Sequence, residues 1–188
     1  MSKGNHMAEQ ELMFKGALLK ANEEISSILQ GIIINLEDLI FEERVKMNCF
    51  YCGRYGENWM CPPNLPKIDY KKMFNEYSFG ALVYLKMVLD NENYNDVRNN
   101  SSIILHKGLL CMEKYFWNHN NPTCISFIAG GCKLCKGGCG EKRCNNPYAA
   151  RSSIEAIGVN IIETAKKYGL NITFPPDKYL TRCGLIVW

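Results

Sequence analysis

Seven of the ten cysteines in this chain of 188 residues fall into two tight groups. The first group contains Cys49, Cys52 and Cys61, and the second contains Cys132, Cys135, Cys139 and Cys144. Each group includes a Cys-x-x-Cys spacing, in which a short turn brings two sulfur atoms to one side of the backbone, where they can bind one metal. The sequence therefore predicts a metal or iron-sulfur protein with two metal-binding loops.

Length, charge and hydropathy restrict the classes of protein to which the chain can belong. A chain of 188 residues can bury an apolar core without covalent cross-links. It has no basic start followed by an apolar stretch and a cleavage site, so we expect the reducing cytoplasm rather than secretion. The longest apolar run, residues 79–85, is too short for a membrane span, which needs about 20 residues. The small net charge of +3 gives no indication of a nucleic-acid partner, and the sequence does not indicate an oligomeric state.

Residues 1–6 are interpreted as an expression leader, because they precede a second methionine, and His6 and Met7 together match a cloning-site His-Met sequence. Residues 7–188 are then predicted to form a single domain that binds a metal or iron-sulfur cluster.

Apolar periodicity and capping residues predict an α/β fold, with α+β as the alternative, built on a small central sheet with crossover helices. Helices are expected at 9–29, where Gly31 is the stop signal, and at 96–117 and 160–168. Further helical signals are the pairs Asn146–Pro147 and Ser152–Glu155. Strands are expected at 32–34, 44–48, 79–89, 124–129 and 185–188, and all seven grouped thiols are expected on irregular backbone.

The second cysteine group places four thiols within a span of thirteen residues. Four thiolates can hold one tetrahedral zinc or a [4Fe-4S] cluster. A single enclosing loop is more typical of the cluster, and its glycines allow backbone N–H groups to approach inorganic sulfides. The pattern favours a cluster over zinc. The basic residues around this group either offset its charge or form a solvated face, and they are Lys133, Lys136, Lys142, Arg143 and Arg151.

The first group has three thiols, so the identity of a fourth ligand decides what a metal bound there can do. A fourth cysteine gives a closed site suited to structure or electron transfer, whereas its absence leaves one iron open to a substrate. Cys183 is the preferred candidate for a fourth ligand. Cys111 and Cys124 are expected in the core, and Tyr55 and Trp59 are expected to shield the site by packing.

Several stretches resemble a known family in the same order along the chain: Cys49–Pro63, Gly130–Cys135, Cys144–Pro147 and Ala150–Gly158. The family is the predicted metal-binding protein family, domain of unknown function 2284, and the resemblance covers about residues 32–188. It implies that the seven grouped cysteines are the ligands. Since the other three cysteines match no motif position, it also supports a first site that is open or completed from outside. The chain departs from the family pattern at Ser152, where proline is frequent, and after Cys144, where asparagine replaces a basic residue.

The leading functional hypothesis is a cytoplasmic iron-sulfur protein with one or two [4Fe-4S] clusters. The second group would hold an electron-relay or structural cluster, and the first group would pass electrons on or bind a substrate at an open iron. Its partner is then a redox protein or a small-molecule substrate. The alternatives are a zinc-stabilised interaction module and a pure electron carrier resembling a ferredoxin, which needs an eighth thiol.

Overall fold

A computed structural model describes residues 3–89 and 93–188, with side chains from His6 onward. Met1 and Ser2 of the expected leader lie outside the described residues, while its remaining backbone belongs to the first helix. Within the described ranges the helices are α1 (Lys3–Ile25), α2 (Glu43–Phe50), α3 (Tyr70–Phe74), α4 (Tyr94–Asn118) and α5 (Ile161–Lys167), with a 3-10 helix at Leu36–Asp38. The strands are β1 (Gln30–Ile34), β2 (Gly80–Val88), β3 (Ile125–Phe127) and β4 (Tyr179–Val187).

The four strands form one antiparallel sheet in the order β1-β2-β4-β3. Because β2 and β3 both pair antiparallel with β4, they run in the same direction on either side of it, and α4 is the crossover helix that connects them. The mixed α/β class is confirmed.

Side-chain alternation along β2 divides the apolar core between the two faces of the sheet. Ala81, Val83 and Leu85 pack with buried residues of α1 and α4. Leu82 points to the opposite face and packs with residues of α3, α5 and the segment 154–159. A strand buried on both faces is apolar throughout, which is why the sequence signal for β2 is clear.

The first helix ends earlier than its apolar pattern predicts. Ser26 adopts a left-handed conformation with φ of 50°, and the Asn22 side chain bonds both the N–H and the C=O of Leu29, at 2.6 and 3.1 Å. The prediction that Gly31 is a helix stop is wrong, because Gly31 lies within β1. A Cβ added to Gly31 would come within 2.3 Å of the Phe14 ring. Because Gly31 has no side chain, α1 can pack close to the strand.

The predicted strand at 44–48 is also wrong, since this segment is part of α2. Val45 and Cys49 are its half-buried residues and the others are exposed. A spacing of four places these two side chains on one helix face, and the Lys46–Glu43 ion pair at 2.9 Å also has helical spacing.

The helical signals at Asn146–Pro147 and Ser152–Glu155 correspond to turns in the structure. Residues 152–154 instead pair with the end of the sheet, because Ile128 N–H donates to Ser152 O and Ile154 N–H donates to Ile128 O, both at 2.9 Å. These long-range bonds use the backbone groups that a helix start requires.

The other predicted elements are confirmed with shifted boundaries. Helix α5 begins after Asn160, whose side chain accepts from Glu163 N–H at 3.1 Å, and it ends one residue before the predicted 168. The closing strand begins at Tyr179 rather than Leu185, since all nine residues of β4 pair with β2. In the described part of the chain, no helix is both long and apolar enough to cross a bilayer.

A buried ion pair joins α4 to the segment that follows the second cysteine group. Glu113 is fully buried and accepts hydrogen bonds from two nitrogens of Arg151, one of them at 2.8 Å. The same carboxylate accepts from both the N–H and the hydroxyl of Ser126 at 2.6 Å. One side chain thus holds together α4, β3 and the segment around Arg151.

We expect Glu113→Gln to destabilise the fold by about 3–5 kcal/mol, because the neutral amide leaves the Arg151 charge buried without its partner. The free energy of unfolding in urea measures this loss. Glu23→Gln is the matched control: Glu23 pairs with Lys20 at the surface, and its loss should cost less than about 1 kcal/mol. A loss for Glu113→Gln no larger than that of the control would contradict the structural role of the pair.

Candidate metal centre

The first cysteine group lies at the end of α2 and in the loop that follows it. Cys49 is in the last turn of α2, so the expectation of irregular backbone is wrong for this thiol. Cys52 and Cys61 lie in the following loop. Gly53 and Gly56 supply left-handed turns there, with φ of 74° and 81°, and Gly56 N–H donates to Pro62 O at 3.0 Å. This bond closes the loop and returns the chain toward α2.

All three thiols of the first group line one cleft of about 220 Å³ that opens to solvent. Burial, followed by the charges of four neighbouring cysteines, raises the pKa of Cys61 to about 11. These neighbours are Cys49, Cys52, Cys132 and Cys139. Burial also raises the pKa of Cys49, followed by the charges of Glu155 and Cys52. A metal that binds here must therefore displace protons from thiols that hold them firmly.

The second cysteine group lies in the loop between Ile128, which follows β3, and Ser153, and these two residues pair as an isolated β-bridge. Burial raises the pKa of Cys132, while hydrogen bonds from the backbone N–H groups of Leu134 and Arg151 oppose the rise. Cys135 accepts from the Asn146 amide at 3.0 Å. Backbone and amide N–H groups thus already point at two sulfurs of this group, as protein-bound clusters and thiolates require.

The two cysteine loops pack against each other, a feature the sequence does not indicate. Trp59 Nε1 donates to Gly140 O at 2.7 Å, and Cys139 Sγ donates to Asn58 Oδ1 at 3.3 Å. A Cβ on Gly131 would lie 3.7 Å from Cys61 Sγ. Trp59 therefore connects the loops as well as packing between them. Tyr55 lines the cleft and its ring lies 5.0 Å from that of Phe50.

The loops bring the thiols into one region without placing them as a coordination shell. Within residues 3–89 and 93–188, no three Cys, His, Asp or Glu side chains are arranged to hold a metal ion. No two cysteines in these ranges form a disulfide either. The seven cysteines are free thiols in neighbouring loops, and their assignment as ligands stays a prediction.

The remaining cysteines lie elsewhere. Cys124 is buried among core residues, as expected, and burial raises its pKa. Cys111 is half-buried at the edge of the same cluster, and burial together with a hydrogen bond to Glu24 raises its pKa to about 11. Cys183 is buried in the core on the opposite face of the sheet and lines a neighbouring cavity. The structure does not bring Cys183 to the cleft with the first group.

Five charged side chains, from the first cysteine loop and from more distant segments, line the cleft beside the first group. They are Arg54, Arg98, Lys133, Glu155 and Arg182. Burial lowers the pKa of Lys133, and the charges of Arg98, Arg182 and Arg54 lower it further. Burial raises the pKa of Glu155, although its carboxylate accepts from Gly130 N–H at 3.3 Å.

The sequence does not indicate that these charged residues come together. Glu155, Arg98 and Arg182 lie on three separate segments, and only the fold assembles them. Of the basic residues noted around the second group, Lys133 lines the cleft of the first group, and Arg151 is committed to Glu113. Lys136, Lys142 and Arg143 are exposed.

The two histidines beyond residues 1–6 have bonding or stacking partners outside the two sets of grouped cysteines. His106 is buried and donates from Nε2 to Ala149 O at 2.9 Å, and burial lowers its pKa. His119 stacks on Tyr115 with ring centroids 4.1 Å apart.

The chain was also compared with known proteins. No curated protein and no solved structure matches it. A family model described as predicted metal-binding protein, domain of unknown function 2284, matches residues 32–187. This match covers most of the chain and includes both cysteine groups, as the resemblance in the motifs predicts. The chain therefore belongs to the predicted metal-binding protein family, domain of unknown function 2284.

Proposed function

We propose that this protein is a cytoplasmic iron-sulfur protein that binds two [4Fe-4S] clusters. Cys132, Cys135, Cys139 and Cys144 hold one cluster, and Cys49, Cys52 and Cys61 hold the other. The observation that carries the proposal is the packing of the two loops, which sets Cys61 beside Gly131 and joins Trp59 to Gly140. Two cofactors held by touching loops are placed for electron exchange.

The environment of the second group supports a cluster with a relay or structural role. Its thiols lie in one glycine-containing loop, and N–H groups of Leu134, Arg151 and Asn146 are directed at its sulfurs. Hydrogen bonds to sulfur are a main control on the reduction potential of such clusters. Gly138 has φ of 84°, which lets the loop turn between Cys135 and Cys139 without a side-chain clash.

The environment of the first group supports an open site. All three of its thiols line a solvent-accessible cleft, and Cys183, the preferred candidate for a fourth ligand, lies in the core outside it. A cluster bound there would supply a Lewis-acidic or redox-active iron. The cleft residues around it bring four cations, which offset the negative charge of the thiolates and admit an anion. The free state of all ten cysteines agrees with a reducing compartment.

Metal and sulfide analysis of protein purified without oxygen tests this proposal. We expect about eight irons and about eight acid-labile sulfides per chain, since each cubane holds four of each. About four irons would mean that only one group binds a cluster. One or two zincs without sulfide would replace the proposal with a zinc-stabilised interaction module, because the four thiols of the second loop also suit one tetrahedral zinc.

Single cysteine variants assign the clusters to the groups. Cys61→Ser and Cys139→Ser should each lower the iron content by up to half, because each removes a ligand of a different cluster. Cys111→Ser is the matched control, since Cys111 lies on α4 beside Glu24 of α1 and belongs to neither cysteine loop, and it should leave the iron content unchanged. Unchanged iron in both Cys61→Ser and Cys139→Ser would overturn the ligand assignment.

Cys183→Ala separates an open first site from a closed one of the ferredoxin type. Because Cys183 lies in the core, we expect the variant to keep both clusters with an unchanged electron paramagnetic resonance spectrum, at a modest cost in stability. Conversion or loss of one cluster would instead identify Cys183 as the fourth ligand of the first group and favour a pure electron carrier.

A further inference from the structure

The cleft that contains the first cysteine group adjoins a second cavity. Arg98, Ala129, Glu155 and Arg182 line both spaces, each of which measures about 220 Å³ and opens to solvent. A molecule bound at this shared wall can reach the thiols on one side and the second cavity on the other.

The shared wall and its surroundings carry an excess of positive charge. Arg54, Arg98, Lys133 and Arg182 line the cleft with Glu155 as the accompanying carboxylate. Among residues 3–89 and 93–188, none of these four cations lies within ion-pair distance of a carboxylate. Glu155 is held instead by Gly130 N–H and the Ser153 hydroxyl. Cations without carboxylate partners in a concave site favour an anionic ligand.

The guanidinium of Arg182 is already fixed at the wall. Its Nε donates to Ser101 Oγ at 3.3 Å, and its Nη2 donates to Arg98 O at 3.0 Å. A Cβ added to Gly130 would lie 3.7 Å from Nη1 of Arg182. Because glycine has no side chain, the space beside Nη1 stays open. A donor held in place by two other bonds loses little conformational freedom when it binds a ligand.

The second cavity differs in character from the thiol end. Its lining is rich in aliphatic and aromatic side chains, and these are Ile161, Ile162, Ile172, Phe174 and Leu180. Phe174 is 83% exposed, so its ring has apolar surface to bury against a ligand. An inorganic anion makes no use of this end of the space.

We propose that the two adjoining spaces bind an organic carboxylate that carries an apolar chain or ring. The carboxylate lies at the Arg98 and Arg182 wall, and the apolar group lies in the cavity beside Phe174. The inference rests on the proposed function in one respect: it names the substrate class that the first cysteine group would meet. The binding itself depends on the cations and the apolar cavity rather than on a metal.

Isothermal titration calorimetry with 3-phenylpropanoate tests the proposal on the full chain purified without oxygen. We expect binding at least tenfold tighter than that of the neutral 3-phenylpropanamide, since hydrogen bonds to a charged group are the stronger ones. Acetate and inorganic phosphate should both bind more weakly, because neither has an apolar group for the second cavity. Equal affinity for the amide, for acetate or for phosphate would overturn the assignment of an organic carboxylate.

Substitutions at each end of the space locate the ligand. Arg182→Gln should weaken binding of 3-phenylpropanoate at least tenfold, whereas the exposed Arg44→Gln should leave it unchanged. Phe174→Ala should weaken binding of 3-phenylpropanoate severalfold without changing the affinity for acetate. Tyr148→Ala removes another highly exposed ring and should have no effect. If circular dichroism shows that Arg182→Gln does not fold, Arg98→Gln, at an exposed side chain on the same wall, takes its place. Full affinity in the folded arginine variant and in Phe174→Ala would overturn the proposed site.

Metal analysis of the same samples separates this proposal from the proposed function. Binding of 3-phenylpropanoate by protein without iron would support the ligand site and count against the iron-sulfur assignment. In another outcome, the parent protein contains iron, Arg182→Gln loses it, and neither protein binds 3-phenylpropanoate. The cations would then serve the cluster alone, and the proposed ligand site would be overturned. Retained binding by Cys61→Ser would show that the site does not need the first cluster.

Discussion

The Glu113–Arg151 ion pair is the interaction on which the position of the second cysteine loop depends. Through it, α4 and β3 fix the segment that closes the second cysteine loop, and the Arg151 side chain also donates to Tyr148 O and Ala150 O. His106, two turns earlier on α4, holds Ala149 in the same segment. The backbone N–H of Arg151 is thereby aimed at Cys132. A buried ion pair adds little net stability, but its fixed geometry positions a loop that has few regular hydrogen bonds of its own.

The thiols of the cleft and the guanidinium of Arg182 come from different kinds of structure. The thiols lie at the end of α2 and in glycine-containing loops, whereas Arg182 lies on β4, a strand paired along its whole length with β2. Loops can adjust their sulfurs to a bound metal, while the strand keeps the guanidinium in one place. This division suits a site in which the metal centre forms on binding and the charged wall is already formed.

The sequence predicts those parts of the molecule that depend on local patterns. The apolar strand β2, the amphipathic helix α4 and the Asn160 cap of α5 each have a local signal, and each is confirmed. Predictions fail where distant contacts override local preference, as in 152–154, which pairs with Ile128 instead of starting a helix. The grouped cysteines are recognisable from spacing, but the contact between their loops and the assembly of Arg98, Glu155 and Arg182 depend on the tertiary fold.

Charge decides how metal binding would change the cleft that contains the first cysteine group. Burial, followed by the charges of the neighbouring cysteines, keeps the Cys61 thiol protonated at neutral pH, although four cations line the same cleft. A metal or cluster held by these thiols would replace their protons, and its binding to the folded chain would stabilise the fold. Its positive charge would offset part of the negative charge that the thiolates acquire on losing those protons. Arg98 and Arg182 at the neighbouring wall would then keep part of their positive charge for an anionic ligand.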